Sequence, residues 1–388
     1  MYSENKESGL NISNDNVINE PNDKVSKDKA TFKFIDLFAG IGGFHIAMHK
    51  NGGQCVFASE LDKFARITYE ENFREISPDI FEKGHFNQDI ADPNLDYKNI
   101  PDFDVLCAGF PCQPFSHAGL KKGFDDTRGT LFFNIKEIVK TKILANENDS
   151  SVVIPKVLLL ENVKGFKSHD KGNTYKTIER VLNNLGYEVT SEVLNSKHFG
   201  VPQNRERLFI VAWHKKQVDV QKFRFPIGLD SNSELIFDKN KLLEDIKPTK
   251  VNHILLNDNE LVELEKRANK SYTISEKLWA GHKRRKLEHA KKGNGFGYSL
   301  FNKDSVYTST ISARYYKDGS EILIEQSRDK QPRKLHPIEA ARLQGFPIDE
   351  WYKIPVSDNQ AYKQFGNSVT VPLVRIIAKE IKVQLLGL

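Results

Sequence analysis

The chain has 388 residues, 39% hydrophobic and 28% charged, which excludes a wholly disordered polymer and leaves room for about two domains of roughly 150 residues each. No apolar run reaches bilayer-spanning length, and residues 1–30 lack the cationic head and apolar stretch of a secretory signal, so no membrane attachment is expected. The formal net charge of +5 excludes a general polycation and directs attention to where the charge lies.

Residues 1–30 are rich in Asn, Ser, Asp, Glu and Lys without apolar periodicity and read as a flexible tail outside the fold. Order is expected from Phe32. A short apolar strand over 34–38 runs into Ala39-Gly40-Ile41-Gly42-Gly43, and a helix follows through His49. A second strand over 54–60 precedes a helix over 62–72. Continuous apolar runs at 104–109, 156–161 and 208–213 predict strands buried on both faces, with helices over 130–141 and 174–185 between them. Strands alternating with helices indicate an α/β domain with a mostly parallel sheet.

From about Lys215 to Leu335 charge rises, and short strands and Gly/Asn turns replace the alternation. Seven Lys or Arg stand between Lys277 and Lys292 against one acid, Glu288, which is more than the net charge of the whole chain. That segment reads either as a local polyanion contact or as a solvated helix face. Residues 293–297 are glycine-rich and backbone-permissive, and residues 309–316 and 320–326 flank Asp318-Gly319, a hairpin signal. Helical patterns return from Ile338 and end over 374–385. Residues 31–215 with 338–388 are expected to form a large domain, and 216–337 a smaller one.

Four stretches carry chemistry. The first strand ends in a GxGG turn, which sets backbone N–H groups beside a ligand, and Glu60 ends the second strand, where a carboxylate can accept from both hydroxyls of a ribose. The spacing is not the GxGxxG of a dinucleotide fingerprint, so an adenosine with a small charged tail fits better than NAD, although a tight structural turn also explains the glycines. Cys112, in GFPCQPFS (109–116), follows a buried strand at the edge where ligands bind and sits between two stiffening prolines. It is a candidate nucleophile or a small buried hydrophobe, whereas Cys55 and Cys107 lie within apolar strands and read as inert; no CxxC pair is present, and a reducing cytoplasm suits the set. Glu161, in ENV (161–163), ends another buried strand, where an unpartnered carboxyl is costly. In QNRER (203–207), alternation along a strand points Arg205 and Arg207 into one cleft.

These stretches, in the order FIDLFAGIGGF (34–44), GFPCQPFS, ENV and QNRER, together with RKLHPIEAARLQGFP (333–347) and QAYKQFGNSVTVP (360–372), resemble the motif series of the bacterial cytosine-5 DNA methyltransferases over nearly all of 32–388. The resemblance implies a Rossmann-like S-adenosylmethionine-dependent methyltransferase fold with a smaller, irregular target-recognition domain. It implies that Cys112 attacks carbon 6 of cytosine, that Glu161 contacts ring nitrogen 3 and the exocyclic amine, that Arg207 holds the cytosine oxygen, and that Arg205 is its neighbour in the pocket. For S-adenosylmethionine it implies Phe38, Ala39, Gly40, Gly42 and Gly43 at the turn, Glu60 at the ribose, Asp89 and Ile90 at the adenine edge, and Leu131 and Asn367. Two departures concern the cofactor: Leu61 stands where Trp is common, and Gln88 precedes Asp89 where Gly is usual.

The target base must leave a stacked duplex, so a lid over 111–131 and sequence readers in the smaller domain are expected, with Arg314, Tyr315, Tyr316 and Lys317 as candidates for DNA contact or, equally, for packing. The implied partner is double-stranded DNA, with no membrane, no metal and no stable protein partner. A cytoplasmic monomer sharing its site with a cognate restriction endonuclease is expected. Transfer RNA as substrate, an inactive DNA-binding relative and a nicotinamide dehydrogenase are the rival readings.

Overall fold

Residues Phe32–Leu37 form β1, and the sheet builds on both sides of it with β2 (Gly53–Ser59), a short β3 (Phe86–Asn87), β4 (Val105–Gly109), β5 (Val157–Val163), β6 (Tyr187–Asn195) and β7 (Glu206–His214). The computed structural model describes residues 31–111, 131–218, 223–226, 228 and 249–387. The strand order is β3-β2-β1-β4-β5-β7-β6, parallel except that β7 runs against both of its neighbours. Successive side chains enter opposite layers, except that a register shift at Phe34/Ile35 sends Cys55 and Phe57 of β2 to different faces. Phe34, Cys55, Cys107, Leu159 and Trp213 enter one apolar layer, and Ile35, Phe57, Leu106, Leu158 and Ile210 enter the other. Covering on both faces is why these strands read as unbroken apolar runs.

Helices α1 (Gly43–His49), α2 (Lys63–Phe73) and α3 (Pro78–Glu82) cover the first face, and α4 (Leu131–Asn148) and α5 (Asn173–Asn184) cover the second. On α5 the buried residues Thr174, Thr177, Ile178, Val181 and Leu182 recur at helical spacing and form one stripe. Asp62 caps α2 by accepting from the N–H groups of Phe64 and Ala65. Gly42 begins α1 with φ of 84°, and a Cβ there would meet the Phe73 ring at 2.1 Å, so this turn requires glycine for two reasons.

The sequence pattern did not predict β6. Its residues are half exposed and include Glu188 and Glu192, because among the described residues it is an edge strand with β7 as its one neighbour. Beyond β7 lie α6 (Asp258–Ala268), begun by a capping box between Asn257 and Glu260, and α7 (Glu276–Lys291), capped by Ser275. The expected hairpin about Asp318-Gly319 does not form. A turn is present, but β9 (Leu323–Ile324) pairs in parallel with β8 (Leu300–Phe301). The reason is Tyr315, whose buried hydroxyl donates to the Ile322 carbonyl at 2.7 Å and accepts from the Leu335 N–H at 2.8 Å, drawing the first flank into the core.

The chain then returns to the first face through α8 (Pro337–Leu343), α9 (Asp358–Asn367) and α10 (Val371–Leu386), the last packed along α1. Polar ties fix the return: the Tyr352 hydroxyl donates to the Ile41 carbonyl at 2.8 Å, and Asn72 exchanges two hydrogen bonds with the Lys353 backbone. Buried Arg333 makes a two-pronged ion pair with Glu339 at 2.7 and 2.8 Å, and the same carboxylate accepts from the N–H groups of Leu256 and His336. Glu339→Gln leaves the Arg333 charge buried and uncompensated. It is expected to cost about 3–5 kcal/mol, read as a lower urea midpoint with an unchanged slope.

Candidate active site

Ligands of open α/β sheets bind beyond the carboxyl ends of strands where the order reverses, here between β1 and β4. The reversal of β7 adds to that edge, because its first residues lie beside the last residues of β5: Val163 is in register with Arg207. A cleft of about 440 Å³ opens there. Among the described residues it is lined by the turn after β1, by Glu60, Leu61 and Asp62 after β2, by Gly109–Pro111 after β4, by Glu161–Val163 of β5, by Arg205 and Arg207, and by the end of α9 with Asn367.

On the β1–β2 side, Phe38 adopts a left-handed backbone at φ 55° and, with Ala39, Gly40 and Gly43, borders the cleft; a Cβ on Gly40 would point into open space. The Gly40 N–H donates to the Glu60 carboxylate at 2.7 Å, and the Asp62 N–H donates to its other oxygen at 2.8 Å. Burial pushes the Glu60 carboxyl above the usual range, against these two donors. Each oxygen keeps a further lone pair for a ligand hydroxyl. Leu61 borders the cleft and is 63% exposed, whereas Gly42 is buried behind the turn. Leu131 and Asn367 also line the cleft. Asp89 and Ile90 do not: Asp89 accepts from the Ala91 N–H of its own turn, and Ile90 packs in the second apolar layer.

On the β5–β7 side, Glu161 and Arg207 form an ion pair at 3.1 Å, with side chains only 12% and 17% exposed. Burial raises the Glu161 carboxyl above its usual range, while Arg207 first and Arg205 second pull it back. Asn162 steadies the strand end by donating to the Phe110 carbonyl at 2.9 Å. Cys112 lies outside the described residues, as does the expected lid after Pro111; Pro111 itself lines the cleft. Cys55 and Cys107 are wholly buried, which holds both thiols well above their ordinary range and leaves them unreactive.

The two arginines do not share a task. Arg205 precedes β7 and its guanidinium donates to the carbonyls of Ile311, Gly366 and Ser368 at 3.2, 3.2 and 2.6 Å. It lines the cleft, but its charge is turned into the backbone of two remote segments, and burial pushes it down to about 9. Of the expected DNA contacts, Tyr315 is corrected to a core residue because it is wholly buried, and Tyr316 packs partly against the same core. Arg314 and Lys317 are exposed. The sequence reading missed Lys363, which borders the cleft and pairs with Asp62 at 2.5 Å, although it lies within the quoted QAYKQFGN block.

The family model for C-5 cytosine-specific DNA methylases matches residues 32–383. The chain is 48% identical to the type II methyltransferase M1.ScrFI of Lactococcus lactis subsp. cremoris over 92% of its own length and 79% of that protein. Identity is 49% to M.NlaX of Neisseria lactamica (91% and 97% covered) and 38% to M.HhaI of Haemophilus parahaemolyticus (92% and 96%). The solved structure of the S. pombe Dnmt2 methyltransferase superposes with a TM-score of 0.62 at 21% identity, covering 92% of this chain and all of that one, a likeness of fold. With the family model spanning nearly the whole sheet, cleft and C-terminal return, the chain belongs to the C-5 cytosine-specific DNA methylases.

Proposed function

We propose that the protein is a sequence-specific DNA (cytosine-5-)-methyltransferase that methylates carbon 5 of a cytosine extruded from duplex DNA and protects host DNA from a cognate restriction endonuclease. The observation that carries this reading is the Glu161–Arg207 pair, in one cleft with the glycine turn and the Glu60 carboxylate. The cleft suits an adenosine with a short charged tail. Glu60 has lone pairs for a ribose, the turn at Phe38–Gly43 offers close backbone approach, and Leu61, Leu131 and Asn367 supply walls. When bound there, S-adenosylmethionine supplies the electrophilic methyl group that carbon 5 accepts.

The chain's own residues make carbon 5 nucleophilic. The Cys112 thiolate forms a bond to carbon 6, and the C5=C6 electron pair moves into the ring toward carbon 5. Glu161, whose carboxyl burial raises above its usual range, supplies a proton to ring nitrogen 3 and accepts from the exocyclic amine. Arg207 holds the cytosine carbonyl oxygen, where negative charge also gathers. After methylation, water takes the carbon-5 proton, the electron pair left behind re-forms C5=C6, the Cys112 thiolate leaves carbon 6, and the proton on ring nitrogen 3 returns to Glu161. Arg205 acts as a brace for the pocket wall rather than on the base. Residues 31–215 with 338–388 carry this chemistry and 216–337 read the DNA, with exposed Arg314 and Lys317 as contacts, in a cytoplasmic monomer.

Three outcomes test the reading. A duplex carrying 5-fluorocytosine at the target blocks the final proton loss, so protein and DNA should remain joined through Cys112 on denaturing gels; Cys112→Ala should give neither adduct nor methyl transfer. Glu60→Gln should weaken S-adenosylmethionine binding by about tenfold or more in calorimetry, the worth of a hydrogen bond to a charged group. Arg207→Met should slow transfer by roughly 10²–10³-fold. Because Arg207 lowers the Glu161 carboxyl, its loss lets Glu161 keep its proton to higher pH. The alkaline limb of the kcat/KM profile should therefore move upward, and an unmoved or lowered limb would contradict the acid role of Glu161.

A further inference from the structure

The wall that α9 contributes to the cleft holds a polar group that the chemistry above does not employ. Gln364 is only 7% exposed, lines the cleft, and accepts through its Oε1 from the Thr68 hydroxyl of α2 at 3.0 Å. Its Nε2 has no hydrogen-bond partner among the described residues. Exchanging the two ends of the carboxamide leaves the same shortfall. The Thr68 hydroxyl also reaches the Phe64 carbonyl at 3.2 Å, so a reversed amide would donate to Thr68 and leave Oε1 unmet instead. A buried amide group without a partner is costly, and one at the wall of a cleft points to a polar ligand.

The preceding residue supplies charge, which is a second and independent feature. Among the described residues the cleft is lined by three cations, Arg205, Arg207 and Lys363. Arg205 is turned into backbone carbonyls, and Arg207 faces Glu161. Lys363 pairs with Asp62, and the two side chains are 43% and 32% exposed, so this pair is open to a ligand rather than locked in the core. Asp62 also accepts from the N–H groups of Phe64 and Ala65. Lys363 can therefore share its charge with a second anion without stranding the Asp62 carboxylate. With Glu60 committed to ribose hydroxyls, the polar part of S-adenosylmethionine still without a partner is its amino-acid end, which carries one carboxylate.

We propose that Gln364 and Lys363 seat the α-carboxylate of S-adenosylmethionine: the Gln364 Nε2 donates to it, and the Lys363 ammonium supplies its counter-charge while Asp62 keeps that ammonium at the cleft. This rests on the cleft being the cofactor site and adds which residues recognise the amino-acid end. It makes Gln364 and Lys363 the pair that selects a cofactor retaining its carboxylate, a task separate from that of Glu60 at the ribose. A hydrogen bond to a charged group, made where water is largely excluded, is strong enough to govern that choice.

The test is calorimetric binding to the full chain, without DNA, of two probes that differ only in the carboxylate: S-adenosylmethionine and its decarboxylated form. The unaltered protein should bind S-adenosylmethionine about tenfold more tightly or better. The variants K363Q and Q364L, with folding checked by circular dichroism and thermal midpoint, should each weaken S-adenosylmethionine binding about tenfold and leave the decarboxylated form within about twofold. Q364L removes both polar atoms of the side chain, and Thr68 keeps the Phe64 carbonyl, so no new buried group is left unmet. Glu60→Gln, in contrast, should weaken both probes. Equal affinity of the unaltered protein for the two probes overturns the proposal. So does a folded variant that binds S-adenosylmethionine as the unaltered protein does, or one that weakens both probes alike. Each of these results leaves the cofactor site itself standing. Failure of the unaltered protein to bind either probe would instead remove the cofactor reading of the cleft, and this inference with it.

Discussion

The guanidinium of Arg205 is the joint on which the cleft depends. It sits in the interior with its two terminal nitrogens donating to three carbonyls that come from two segments over a hundred residues away in sequence, at Ile311 and at Gly366 and Ser368. A buried cation is tolerable only with such partners, and the planar guanidinium, with five donors in a fixed fork, suits carbonyls arriving from separate segments. The bond to Ser368 fixes the end of α9, which places Asn367 in the cleft wall, and the bond to Ile311 draws the 308–311 segment against the start of β7. Gly366 makes the approach possible, since a Cβ there would lie 2.3 Å from the Ser312–Ala313 backbone.

A second constraint is the direction of β7. Were it parallel to β5, its first residues would lie at the amino edge of the sheet, a strand length from Glu161. Running antiparallel, it sets Arg207 opposite Val163, two residues along β5 from Glu161 and within ion-pair reach of it. The edge therefore collects residues from both ends of strands.

The two cleft carboxylates show how environment divides roles. Burial raises both Glu60 and Glu161. Glu60 is held by backbone N–H donors, which position it as an acceptor for ligand hydroxyls. Glu161 faces a guanidinium instead and, among the described residues, keeps its opposite edge open for a base. The difference lies in what surrounds each carboxyl.

Much of this was legible in the residue order. Unbroken apolar runs located β1, β2, β4, β5 and β7 because each is covered on both faces, and GxGG, Glu60, Glu161 and Arg207 stand at strand ends where function is expected. Other features were not legible. The edge strand β6 carries half-exposed polar residues that no apolar pattern marks. Tyr315, read as a DNA contact or equally as packing, proved to be bound inward, and Arg205 lines the pocket as expected, but the carbonyls remote in sequence that hold its guanidinium could not be read from local spacing. The amino-acid order by itself determined the strand-and-helix alternation, the glycine turn and the chemical types at the cleft, because these follow from local sterics and burial. Which side chains meet there, and which are consumed in holding the walls, was decided by tertiary packing, since it depends on partners that only the folded chain brings within hydrogen-bonding distance.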